Sequence, residues 1–119
     1  MGRLIVVALA LWLAPGNAGA VGAASEVAEG CRELLKPNPK QSFEAGLCVG
    51  GFTTLYALSG VVDQNQAPLL GFCRPAGVSY LDLVRVFVRH VEGHPQAAQS
   101  FYAIEAVNAL IEAYPCKPK

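Results

Sequence analysis

The chain has 119 residues, 53% of them apolar, and its nine Lys and Arg balance nine Asp and Glu. A neutral chain without a basic run excludes nucleic acid as a partner, since phosphate binding needs clustered cations. The length allows one compact domain and not two.

The N-terminus is read first as a targeting segment. Arg3 precedes an unbroken apolar run over residues 4–13, Pro15 and Gly16 break it, and Ala18, Gly19 and Ala20 offer small side chains for cleavage. That order is a secretory signal peptide over residues 1–20, cut after Ala20 or, as the alternative, after Ala24. Spanning a bilayer takes roughly 20 apolar residues. No membrane association is therefore expected once the leader is gone. A single domain over residues 21–119 remains, and losing Arg3 leaves it with one more acidic than basic side chain.

Four helices are predicted and no strand. The first starts near Ser25, whose hydroxyl can cap it, and sets Val27, Cys31, Leu34 and Leu35 on one face before Pro37 and Pro39 end it. Ser42 caps the second, which runs to about Val62 with Phe43, Leu47, Leu55 and Leu58 along an apolar side. Gly50 and Gly51 lie inside it, where two glycines cost about 2 kcal/mol relative to alanine. Close packing of another helix explains them, in preference to a flat partner-binding face. Residues 63–72 read as a polar loop whose end, Leu69, Leu70 and Phe72, tucks under the bundle.

Ser79 starts the third helix, with Asp82 completing a capping box. Leu81, Leu83, Val84, Val86, Phe87, Val88 and Val91 make this helix apolar nearly all round, which suits a central helix and also allows a homodimer. Gly93 stops it, and Pro95 opens a fourth helix that runs to about Tyr114. The fold class is a small all-α bundle of four main helices, stapled by disulfides.

All four cysteines, Cys31, Cys48, Cys73 and Cys116, lie in the exported part, and in an oxidising compartment they read as two disulfides. No Cys-x-x-Cys spacing supports zinc or thioredoxin-like chemistry. Four cysteines allow three connectivities. Cys31 with Cys48, and Cys73 with Cys116, each lie level across an antiparallel hairpin, so that pairing is expected.

No catalytic kit is apparent. His90 and His94 are four apart with Glu92 between them, but the zinc-protease pattern needs glutamate directly after the first histidine and an unbroken helix through the second. Gly93 and Pro95 break this one. His94 is expected to cap the turn and His90 to sit in the last helical turn, with no metal and no cofactor. Ser25, Ser42 and Ser79 read as caps, and Ser59 and Ser100 lack a nucleophile-elbow setting. Glu44 and Asp63 do not make a glycosidase pair, and no phosphate loop is present.

The stretch Cys73-x-Pro75-x-Gly77-Val78-Ser79 is followed by Leu83, Val84, Val86 and Val88, then His94-Pro95, Ala106, Leu110 and Tyr114-Pro115-Cys116. This run resembles the Rap/Tai-type immunity proteins of type VI secretion. Upstream, Cys31 and the segment over residues 43–50 with Cys48 resemble the family's leading cysteine and cysteine-glycine helix, while Gly51 and Thr54 depart from its pattern. The resemblance implies a helical periplasmic protein, not an enzyme, that binds and inhibits a peptidoglycan amidase effector, with homodimers among some relatives. Asp63, Gln64, Asn65 and Gln66 are the first candidate surface for the effector, and the turn over residues 92–96 the second. The rival readings are a periplasmic accessory protein with a different or lost partner, and a metal-assisted enzyme using His90 and His94.

Overall fold

The computed structural model describes residues 22–117, so the signal peptide expected over residues 1–20 lies outside the described residues. Four α-helices follow in order: α1 (Ala24–Leu34), α2 (Phe43–Leu58), α3 (Tyr80–Gly93) and α4 (Tyr102–Ala113), with a short 3-10 turn (Pro95–Ala97) between α3 and α4. Among the described residues no strand forms beyond two isolated bridges, and the all-α expectation holds.

The core is built around α3, which packs against the other three helices. Leu83, Val84, Phe87, Val88 and Val91 recur at helical spacing and are all buried, and Phe87 meets Phe52 of α2 with ring centroids 5.3 Å apart. Val27, Phe72 and Leu110 complete the centre, each with no exposed surface. Burying such a side chain is worth about 1.5–3 kcal/mol. The all-round apolar reading of α3 needs correction, however. Arg85, Arg89 and Glu92 form an exposed charged face, so its buried stripe serves the monomer core.

Helix starts follow the sequence where a side chain caps them. Ser42 Oγ accepts from Ala45 N at 3.0 Å. At α3 the capping box is complete: Ser79 Oγ accepts from Asp82 N, and Asp82 Oδ2 accepts from Ser79 N at 2.8 Å. The Ser79 backbone and hydroxyl bonds, with Arg85 nearby, hold the Asp82 carboxyl below its ordinary pKa.

Three boundaries differ from expectation, each for a tertiary reason. Ser25 does not cap α1, because Ala24 N and Ser25 N donate to the carbonyls of Ser100 and Ala98 at 2.8 and 3.0 Å. The chain ahead of α4 thus does the capping. For the same reason Pro95 opens only a 3-10 turn: residues 98–101 are spent on α1, and α4 begins at Tyr102, whose N–H donates to the Gly22 carbonyl. Helix α2 stops at Leu58 and not at Val62, because Leu69 N donates to the Val61 carbonyl at 2.9 Å and Val62 bridges to Pro68.

Both expected disulfides form, Cys31–Cys48 and Cys73–Cys116, with Cα atoms 5.4 and 4.8 Å apart. The first lies where α1 and α2 come closest. A Cβ on Gly30 would stand 2.3 Å from the Glu44 carbonyl carbon and 2.4 Å from Ala45 N, so the two backbones touch at that glycine. The turn between these helices is braced by Glu33, whose carboxylate accepts from Lys36 Nζ and from Lys40 N. Those two bonds, the Lys36 one foremost, hold its pKa below the usual value.

Candidate functional site

The sequence's first candidate, the loop after α2, is a tight and exposed structure. Every residue over 60–67 is exposed, and Asp63 organises the tip: its Oδ1 accepts from Asn65 N at 2.7 Å and from Ala67 N at 3.0 Å. Asp63 N donates to the Ala67 carbonyl, and Gln66 takes a left-handed conformation with φ of 62°. An aspartate bonding its own backbone two residues on fixes a turn with no help from the core. Gln64, Asn65 and Gln66 are therefore displayed on a pre-formed tip. Val61, Val62 and Leu69 flank it and are exposed. Leu69 was expected to tuck under the bundle with Phe72; it is 57% exposed because its N–H is drawn to Val61, while Phe72 alone is fully buried.

Arg74 ties down the base of this loop. Its Nε donates to Ser59 Oγ at 2.7 Å, Nη1 donates to the Val78 carbonyl at 3.1 Å, and the guanidinium lies 4.1 Å from the Tyr56 ring centroid. Such contacts join the end of α2 to the entry of α3. Ser59 also donates to the Tyr56 carbonyl at 2.6 Å, which makes it the stop of α2 and leaves its hydroxyl no free role.

The loop continues a surface that sequence reasoning only half saw. Gly46, Val49, Gly50, Thr53, Thr54 and Ala57 recur at offsets three, four, seven, eight and eleven along α2, and all are exposed. Not one is charged. A Cβ on Gly50 would meet nothing within 4 Å, whereas one on Gly51 would stand 2.8 Å from Tyr102 Oη. The two neighbouring glycines thus have different causes: Gly51 admits the Tyr102 ring, as the packing explanation expects, and Gly50 leaves open space. At the start of α2, Gly46, Val49 and Gly50 with Leu34 and Pro39 line a groove of about 600 Å³, beside Phe43 at 64% exposure. One sequence signal could have found this strip, namely a 16-residue helix whose sole charge is Glu44.

The second candidate turn, over residues 92–96, is held from two sides. Arg32 Nε donates to Glu92 Oε1 at 2.9 Å, and His94 Nδ1 donates to the His90 carbonyl at 2.8 Å. His94 caps the turn as expected. His90 does more than sit in the last turn of α3: its Nε2 meets Glu105 Oε2 at 3.0 Å, its Nδ1 lies 3.7 Å from Glu112 Oε2, and its ring stacks on His94 at 4.3 Å. Both glutamates come from α4, which no spacing in the sequence connects to His90.

Nothing among these groups makes a nucleophile with its base. A family model describing Rap1a immunity proteins matches residues 23–116, which takes in both disulfides, the loop and all four helices. The chain belongs to the Rap1a immunity protein family. No curated protein and no solved structure matches it. Membership in the Rap1a family implies a secreted effector as partner, and among the described residues no helix is long and apolar enough to cross a membrane.

Proposed function

We propose that this Rap1a family member is exported to the periplasm and neutralises a peptidoglycan amidase effector of type VI secretion by binding over its active-site cleft. The loop carrying Asp63, Gln64, Asn65 and Gln66 inserts, and the uncharged face of α2 lies along the rim. The observation that supports this reading is the self-bonded loop tip. An inhibitor gains affinity when its contact segment is ordered before binding, because little conformational entropy is then lost. Exposed Val61, Val62 and Leu69 at the loop base supply apolar area of the kind that the centre of an interface buries.

The test is co-purification from periplasm with candidate amidases, followed by an inhibition assay. Replacing Gln64 and Asn65 together with lysine should weaken inhibition by tenfold or more while the circular dichroism spectrum stays unchanged. Undiminished protection by that variant removes the loop from the interface, and failure to bind any amidase favours an accessory role with another partner. Export itself has a structural consequence. Gly22 accepts from Tyr102, Ala23 bridges to Phe101, and Ala24 is fully buried, so cleavage after Ala20 keeps these contacts and cleavage after Ala24 removes them. Intact-mass analysis of exported protein should find Val21 first.

A further inference from the structure

We propose that His90, His94 and Glu112 form a binding site for a zinc-class divalent cation that clamps α3 to α4, independent of any effector. One ligand atom from each of these three residues lies within 4.8 Å of the others, and His90 Nδ1 is already 3.7 Å from Glu112 Oε2. Tetrahedral zinc with bonds of about 2.0–2.1 Å sets its ligands roughly 3.4 Å apart. Two adjustments are needed: Glu112, whose side chain is 70% exposed, rotates inward, and the His94 ring turns out of its 27° stack on His90 so that both rings face one point.

The hydrogen bonds of both rings point the same way. His94 Nδ1 lies 2.8 Å from the His90 carbonyl, which can only accept, so Nδ1 carries the proton and Nε2 keeps a lone pair. His90 Nε2 lies 3.0 Å from the Glu105 carboxylate and is engaged by it, so the nitrogen of His90 that faces Glu112 is Nδ1. Each imidazole is thus oriented through one nitrogen and open at the other. A carboxylate or a carbonyl behind a histidine is the arrangement that positions metal-binding imidazoles. Glu105, with its side chain 14% exposed, is a positioning residue here and not a ligand.

The surroundings fit a site with three protein ligands. These three side chains line a cleft of about 360 Å³ together with Val86, Arg89 and Ala109, so the fourth coordination position falls to water. Arg89 places one positive charge nearby, against which Glu105 and Glu112 supply two negative ones. Two imidazoles and a carboxylate favour zinc and its transition-metal neighbours over magnesium, which prefers oxygen ligands. Helix α3 runs through Gly93 and ends at His94, whose N–H reaches the Val91 carbonyl and whose Nδ1 reaches the His90 carbonyl, and this holds the two rings side by side.

The experiment is calorimetric titration of the chelator-stripped, disulfide-intact protein with Zn²⁺, and with Mg²⁺ as the comparison. One Zn²⁺ per chain, no Mg²⁺ binding, and a Zn²⁺-dependent rise in Tm are expected. Glu112→Ala alters an exposed side chain and should weaken binding at least tenfold without changing the Tm of the stripped protein; His94→Ala should abolish it. Glu105→Gln should weaken binding by about tenfold through the orientation of His90. Absence of saturable Zn²⁺ binding overturns the site and leaves His90 as a residue that ties α3 to α4 through Glu105. So does equal affinity in wild type, Glu112→Ala and His94→Ala.

Discussion

The two disulfide-closed hairpins of this domain are held together in different ways. In α1–α2 the backbones themselves touch at Gly30, and both cysteines of the Cys31–Cys48 bridge are fully buried. In α3–α4 the bridge Cys73–Cys116 sits half-buried at the chain's end, and polar side chains, His90 with Glu105 and Glu112, span the helices instead. A backbone contact cannot be adjusted, whereas side chains can rotate. The first hairpin is therefore the rigid half that carries the proposed docking strip, and the second is the half where substitutions are absorbed.

The most severe way to break this contrast is Gly30→Ala. The new methyl would lie 2.3 Å from a backbone carbon of α2, which no rotamer relieves, so a loss at or beyond the roughly 3 kcal/mol upper range for overpacking is expected in denaturant unfolding. A mild result would mean that the helices separate easily and the first hairpin is not rigid.

Removing the bridges one at a time sharpens the comparison. Sequence separations of 17 and 43 residues predict losses of about 3 and 4 kcal/mol from chain entropy alone. Burial reverses that order. Cys31→Ala with Cys48→Ala also opens space in the core, adding about 2 kcal/mol, while Cys73→Ala with Cys116→Ala disturbs a half-exposed site. Equilibrium unfolding of both double variants decides, and the entropic order would show that packing around the first bridge contributes little.

Smaller effects probe the helix ends and the open strip. Ser79→Ala removes the capping box and should cost about 1 kcal/mol. Because the Asp82 pKa is lowered on folding, its contribution is present above the ordinary carboxylate pKa and is lost as pH falls through the folded value. Acid titration of stability should therefore flatten in Asp82→Asn. Gly50→Ala meets empty space and should stabilise α2 by up to about 1 kcal/mol while weakening effector inhibition if the strip is the interface. Together with Gly30→Ala it tests whether one helix pair contains glycines of opposite purpose.

Much of this molecule is legible locally. Ser42 and Ser79 cap as read, the four cysteines pair as the hairpins suggest, and the third helix is central because its apolar residues recur at helical spacing. The loop at Asp63, Gln64, Asn65 and Gln66 was legible as a polar loop, and the turn that Asp63 builds within it came only with the structure. What could not be read were features made by two distant segments. Ser25 is displaced as a cap by carbonyls 73 and 75 residues downstream of it, and Leu69 is exposed because a backbone bond to Val61 outweighs its own burial.

Spacing along one chain was enough for the number and order of the helices, the buried stripe of α1 and the two bridges. Tertiary structure alone decided three things. It set which glycine touches a backbone and which faces open space, and it set how α4 places Glu105 and Glu112 around His90. It also decided that an uncharged strip on α2 runs into a pre-formed loop. The physical reason is the same for all three: a helix phase is periodic and local, but the side of a neighbour that it meets depends on how two helices cross.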